Sequence, residues 1–315
     1  MSYVGRQIME RPAINVAQNI QILKDVSYVY VLESLDNIAI EYALRFSASK
    51  MDNVRNKTVM ITGGAAGLGY KFAEILLQNG AKSVAIIDLP TSNGENAATT
   101  LKKEFGKSRA VFIACDVAKA EDLEKAFNRV IDAFETLDIL INNAGILNEH
   151  NWHQVIDINV TALIRNLYLA LDHMGRHKGG KGGLIVNVSS IAGLIAYPPA
   201  PVYVASKHAV LGFSQSLAGL YDKTGVRVLI MCPGTTKTAI IVDLKKRFLP
   251  LVDAKYSSKF DALLGSVQSV DYVGRAMLAL IQKGENGAAW VSENEKSPYA
   301  VDFPHYSKRS LSVES

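Results

Sequence analysis

The sequence predicts an α/β protein with one doubly wound parallel sheet in a single domain. Three observations carry that reading. From Lys57 onward, short apolar runs alternate with amphipathic segments. A glycine cluster sits directly after the first apolar run. The chain has 315 residues with 49% hydrophobic and 20% charged residues, enough to bury a sizeable core.

Each element follows in order. The first strand, 57–62, is apolar through Val59-Met60-Ile61. It leads into Thr62-Gly63-Gly64-Ala65-Ala66-Gly67-Leu68-Gly69, which opens a helix over 67–79 with Phe72, Ile75, Leu76 and Leu77 at apolar helical spacing. Strand 83–88, helix 93–105, strand 110–115 and helix 120–134 follow. Strand 138–141 leads to a long helix ending near Met174, and the loop from Gly179 to Gly183 leads to strand 184–189. Helix 202–221, strand 226–231, helix 270–282 and a short strand at 288–291 close the domain. Short apolar strands joined by helices predict parallel pairing, helices on both faces and right-handed crossovers.

The catalytic domain is expected over 54–294. Residues 1–53 are expected to be a poorly ordered extension, with Met51 just before the first strand. The tail 295–315 shows no regular pattern.

The net charge is +4 and the basic residues are scattered, so nucleic acid and anionic membranes are not expected as partners. No apolar run reaches the ~18 residues of a membrane span. The N-terminal stretch lacks a secretory pattern and carries acidic residues that a mitochondrial presequence avoids. Two cysteines, Cys115 and Cys232, each at the end of an apolar run, read as buried core residues in a reducing compartment. A cytoplasmic protein is therefore expected. No His/Cys/Asp/Glu cluster has metal-ligand spacing, so no metal is expected.

Two motifs carry chemistry. Tyr203 and Lys207 stand four residues apart, one helical turn, on one helix face. An ammonium beside a phenol stabilises the phenolate, so the tyrosine pKa is expected to fall from about 10 toward working pH. Such a tyrosine can exchange a proton with an alcohol or carbonyl. Ser190, at a strand's carboxyl end, is placed to hydrogen-bond the same substrate oxygen. The second motif is the glycine turn between strand and helix. Glycines let the backbone approach a ligand, and the helix N-terminus offers free N–H groups to a pyrophosphate, the context of a Rossmann-type dinucleotide site.

Thr-Gly-x-x-x-Gly-x-Gly, Asn142-Asn143-Ala144-Gly145, Asn159, Ser190, Tyr203-x-x-x-Lys207 and Pro233-Gly234 occur in an order that resembles the short-chain dehydrogenase/reductases, over roughly residues 54 to 292. Within that family the chain is most similar to the NAD-dependent 15-hydroxyprostaglandin dehydrogenases and the insect alcohol dehydrogenases. This closer likeness rests on Asn148-Glu149-His150-Asn151-Trp152, on 168–174 and on the stretch from Pro201 to His208.

The resemblance implies NAD as cofactor and a hydrophobic secondary alcohol or ketone as substrate. It makes Tyr203 the general base or acid, has Lys207 bind the nicotinamide ribose, and has Asn159 prop a water that links Lys207 to solvent. Gly63, Gly67, Leu68 and Gly69 would cradle the pyrophosphate. Asp88 lies nineteen residues beyond Gly69, where an acidic side chain hydrogen-bonds the ribose hydroxyls of NAD and repels the phosphate of NADP. Asp116 and Val117 would hold the adenine, Asp116 having an alternative reading as a helix N-cap. Asn143 and Gly145 would line the groove, and Thr236 and Thr238 would touch the nicotinamide end. The stretch from Thr236 to Val267 would be a mobile substrate-covering segment.

Residues 194–200 are mostly apolar and face the expected pocket mouth. The prostaglandin dehydrogenases carry a glutamine three residues before the tyrosine; here Ala200 stands there. A non-catalytic binding protein on this fold and an NADP-dependent carbonyl reductase are the alternatives. Relatives form homodimers or homotetramers, and the same is expected here.

Overall fold

The computed structural model describes residues 54–259, 262 and 265–311. The expected extension over 1–53 lies outside them. The described residues form an eight-stranded sheet of order β3-β2-β1-β4-β5-β6-β7-β8. The strands are β1 (Thr58–Thr62), β2 (Ser83–Asp88), β3 (Ala110–Ala114), β4 (Ile139–Asn142), β5 (Gly183–Val188), β6 (Val226–Pro233), β7 (Ala289–Ser292) and β8 (Tyr299–Val301). The first seven pair parallel, and β8 runs antiparallel to β7.

The helices are α1 (Gly67–Gln78), α2 (Gly94–Phe105), α3 (Ala120–Phe134), α4 (Trp152–Ile156), α5 (Leu163–Met174), α6 (Pro201–Ala218), α7 (Tyr221–Thr224), α8 (Ala254–Ser257) and α9 (Val270–Lys283).

Alternation along the strands feeds two separate cores. Val59, Ile61, Val84 and Ile86 point to the layer of α1, α2 and α9, with Phe72, Leu76, Leu101, Met277 and Leu280. Met60, Ala85, Ile87 and Leu140 point to the layer of α3 and α5, with Leu123, Phe127 and Leu167. A strand covered on both faces has no solvent side, which is why β1 is buried throughout and reads as a continuous apolar run.

The strand order reverses between β1 and β4. In an open parallel sheet that switch point leaves a crevice at the strands' carboxyl ends. The glycine turn leaves β1 there, and Asn143 leaves β4 beside it.

Three differences from the sequence reading appear. The tail holds β8, which extends the sheet by one edge strand. The helix expected over 202–221 ends at Ala218, with α7 as a separate turn. The long helix before Met174 is interrupted by a π-helical stretch, Asp157–Ala162, between α4 and α5. None of the helices among the described residues is long and apolar enough to cross a membrane.

Candidate active site

The glycine turn is built around close backbone approach. Gly63 has φ +65°, a left-handed conformation that a side chain would strain. A Cβ on Gly69 would lie 2.1 Å from the Gly63 carbonyl oxygen, so this position admits glycine alone. The N-cap Ala66 offers no side-chain acceptor to α1, and no acidic residue stands in its first turn. The first amides of α1 thus keep their hydrogen-bonding capacity for an anion. Neighbouring strands brace the turn. Asn143 Nδ2 donates to the carbonyls of Thr62 and Gly63, both at 3.0 Å, and Thr62 Oγ1 accepts from Asn143 N and Ala144 N at 3.1 and 3.2 Å.

Asp88 closes the far side. Its Oδ2 accepts from Ala65 N at 2.9 Å and its Oδ1 from Leu89 N at 2.8 Å. Each oxygen keeps a further lone pair for a donor from a ligand. Asp116 Oδ1 accepts from Ala118 N at 3.1 Å, while the N-cap of α3 is Lys119. Asp116 therefore heads a local turn rather than capping the helix. Val117 is buried against a small separate cavity shared with Thr62 and Asn142.

The main cleft brings together Leu68, Asn143, Gly145, Ser190, Tyr203, Lys207, Thr236 and Thr238. Leu147, Ile195, Tyr197, Ile240 and Leu244 give it an apolar wall. Gly63, Gly67, Gly69, Asp88 and Asp116 lie outside this lining, along the turn and the ends of β2 and β3. The loop after β6 closes onto the glycine turn: a Cβ on Gly67 would meet Thr238 Cγ2 at 3.3 Å. Thr236 is buried and donates to Gly234 O at 2.8 Å, and Gln268 Nε2 donates to Thr236 Oγ1 at 3.4 Å. The segment from Thr236 to Val267 holds two 3₁₀ turns and α8, with Phe248 buried against Tyr197.

Ser190 Oγ accepts from Ala192 N at 3.1 Å and donates to Pro233 O at 3.5 Å, and it lines the cleft with Tyr203. Lys207 is 4% exposed. Its Nζ donates to Val188 O at 3.1 Å and sits 5.6 Å from the Tyr203 ring centroid. Burial pushes the Tyr203 phenol up to about 12, against a smaller lowering by the neighbouring Ser190 hydroxyl. Burial also pulls the Lys207 ammonium down to about 8. This corrects the sequence expectation of a phenol lowered by its lysine. Desolvation disfavours both charged forms and is the largest cause of each shift.

Asn159 lies in the π-helical stretch, 1% exposed. Its Oδ1 accepts from Ile146 N and its Nδ2 donates to Ile146 O, both at 2.9 Å, and to Ser206 Oγ at 3.0 Å. Its side chain thus joins the loop after β4 to α6. A Cβ on Gly145 would come within 3.4 Å of Lys207 Nζ and 3.3 Å of Asn159 Oδ1.

One residue escaped the functional reading of the sequence. Glu149 is 4% exposed, and its carboxylate accepts from Val202 N at 3.0 Å and Tyr203 N at 2.9 Å. Only its place in the Asn148–Trp152 motif singled it out, and nothing in a spacing of 53 residues signals that contact.

A profile of the short chain dehydrogenase family matches residues 57–247. 15-Hydroxyprostaglandin dehydrogenase [NAD(+)] of Rattus norvegicus is 38% identical over 264 residues, covering 81% of this chain and 99% of that protein. The Homo sapiens protein of that name is 43% identical over 196 residues, covering 62% and 73%. Alcohol dehydrogenase 1 of Ceratitis capitata is 32% identical over 244 residues, covering 76% and 93%. The chain belongs to the short chain dehydrogenase family, a family of oxidoreductases. A crystal structure of NADPH-dependent 3-quinuclidinone reductase from Rhodotorula rubra aligns with a TM-score of 0.63 and 24% identity, over 77% of this chain and 92% of that one, a likeness of fold.

Proposed function

We propose that the chain is an NAD-dependent dehydrogenase that oxidises a hydrophobic secondary alcohol to its ketone. The observation that carries this is the meeting of Ser190, Tyr203 and Lys207 at the floor of a cleft whose outer wall is apolar. The apolar wall favours a lipid-like, terpenoid or prostaglandin-like alcohol. Ala200, where prostaglandin dehydrogenases carry a glutamine, is fully buried beside Leu147 and Tyr197 and is not among the residues that line the cleft.

The residues fit NAD. The glycine turn, the open first turn of α1 and the bracing by Asn143 make a seat for a pyrophosphate, and the acidic Asp88 at the end of β2 favours a ribose hydroxyl over a phosphate. The names of the 15-hydroxyprostaglandin dehydrogenase relatives support the same cofactor. Asp116 and Val117 would flank the adenine, and Thr236 and Thr238 the nicotinamide end. The cofactor supplies the hydride acceptor; the protein orients and moves the proton.

In this reading Ser190 holds the substrate oxygen, Tyr203 takes its proton as a phenolate or returns it as a phenol, and Lys207 binds the ribose. Burial keeps the phenol protonated well above neutrality, so alcohol oxidation should accelerate with pH. The test is NADH formation from a panel of secondary alcohols, with wild type and Tyr203→Phe. Tyr203→Phe should lose roughly 10²- to 10⁴-fold in kcat while NADH still binds. A variant as active as wild type would remove Tyr203 from the chemistry. A protein that binds no NADH would end the proposal.

A further inference from the structure

We propose that Glu149 is a positioning residue, whose buried carboxylate clamps the first turn of α6 and so sets where Tyr203 and Lys207 stand relative to the cofactor loop. The inference rests on the dehydrogenase reading above for its kinetic consequence, and on geometry alone for the clamp.

The accounting of amides at the start of α6 is complete. Ala200 N donates to Tyr197 O at 3.0 Å. Pro201 has no N–H. The remaining two orphan donors, Val202 N and Tyr203 N, both go to Glu149. The N-cap Ala200 has no side-chain acceptor, so the usual local cap is missing and a residue from a distant loop replaces it. Burying a carboxylate is costly unless its charge is compensated. Among the described residues Glu149 takes part in none of the ion pairs. Its compensation is the two amides and the positive end of the α6 dipole.

The location gives the clamp its significance. Glu149 follows β4 in the loop that also holds Gly145, which faces Lys207, and Ile146, which Asn159 grips from the π-helical stretch. One loop therefore touches the cofactor groove at Asn143, the lysine at Gly145 and the tyrosine's own backbone amide through Glu149. A change of rotamer at Glu149 would free the first turn of α6 and displace the phenol. Misplacement of a reacting group by an ångström is felt in turnover far more than in binding.

Glu149→Gln is the mild probe. A glutamine keeps the size but offers one acceptor oxygen, and its NH₂ group confronts the second amide donor. The experiment combines hydrogen–deuterium exchange on the full-length chain with NADH binding, kcat and KM for the best alcohol. Expected for Glu149→Gln is faster exchange over 202–206, unchanged exchange over the glycine turn, a kcat loss of roughly 10- to 100-fold, and KM and NADH affinity little altered. Unchanged exchange over 202–206 would overturn the clamp. Faster exchange with kcat intact would reduce Glu149 to a structural cap and overturn the positioning role.

If Glu149→Gln fails to fold, Glu149→Asp takes its place. The aspartate keeps the charge but is one methylene shorter. Partial loss of kcat with normal NADH binding supports the proposal, and wild-type kcat overturns it. If wild type oxidises no alcohol, the dehydrogenase reading fails separately, and exchange over 202–206 still decides whether the clamp exists.

Discussion

Tyr203 and Lys207 share a face of α6, yet burial drives their ionisations apart. The phenol rises to about 12 and the ammonium falls to about 8. For Tyr203 the folded pKa exceeds the unfolded one, so the protonated phenol is the form the fold favours. Its contribution to stability is fully present below pH 10 and is lost as pH rises from 10.0 toward about 12. Tyr203→Phe cannot ionise and serves as the reference, since both proteins retain Lys207. The difference in unfolding free energy between them, from urea titrations at stepped pH, should stay constant up to about pH 10 and then shift against wild type up to about 12. A difference that stays flat to pH 12 would mean that Tyr203 ionises as it does in the unfolded chain, and that its burial imposes no penalty.

At the scale of elements, the turn between β1 and α1 is the tightest piece of backbone near the site. The Cβ of Gly69→Ala would fall 2.1 Å from the Gly63 carbonyl, with Asn143 Nδ2 at 2.7 Å, so neither backbone nor brace can yield cheaply. Overpacking of this kind costs roughly 1–3 kcal/mol, and here it also displaces the anion seat. Gly69→Ala should therefore lower Tm and abolish NADH binding, whereas Gly212→Ala, in open space within α6, should leave NADH binding unchanged and raise Tm slightly, since alanine favours the helix over glycine. Normal NADH affinity in Gly69→Ala would detach the turn from the cofactor.

The central elements were legible because buried parallel strands and their covering helices leave strong periodic patterns. Val59-Met60-Ile61 and the Leu76 face of α1 are of that kind. β8 was not legible: it has three residues on a sheet edge, two of them exposed, too few to show alternation. The π-helical stretch was also hidden: its wider turn leaves no mark in local composition, and Asn159 within it bonds Ile146 and Ser206 from distant segments. Similarly, α6 stops at Ala218 because Gly219 and the turn into α7 break an otherwise apolar continuation. In the site, local motifs gave Ser190, Tyr203 and Lys207, whereas Glu149 depends on a contact between distant segments.

On the scale of the whole sheet, a buried chain of amides ties the site's two halves together. Asn166 Nδ2, on α5, donates to Asn142 Oδ1 at 2.8 Å. Asn142 Nδ2 donates to Asn187 Oδ1 at 2.9 Å, between residues in register on β4 and β5. Asn187 Nδ2 donates to Ser214 Oγ on α6 at 2.8 Å, and Ser214 returns its proton to Val210 O. The chain thus runs from one helix, through two strands, to the helix that carries Tyr203. Ser189 Oγ adds a second tie, to Lys207 O at 2.9 Å. Buried polar networks of this kind specify one depth and rotation of a helix against a sheet, and they penalise partial disruption. Asn187→Ala orphans a buried donor on Asn142, which costs about 1–3 kcal/mol before any cavity contribution. For a domain of this size that is a fall in Tm of about 2–4 °C per kcal/mol. The double variant Asn142→Ala, Asn187→Ala removes both partners of that bond, so its loss should be smaller than the sum of the single losses by about 0.5–3 kcal/mol. Urea unfolding of the four proteins measures this directly. Strictly additive losses would mean that the two amides stabilise their strands independently, and that the bond between them does not couple β4 to β5.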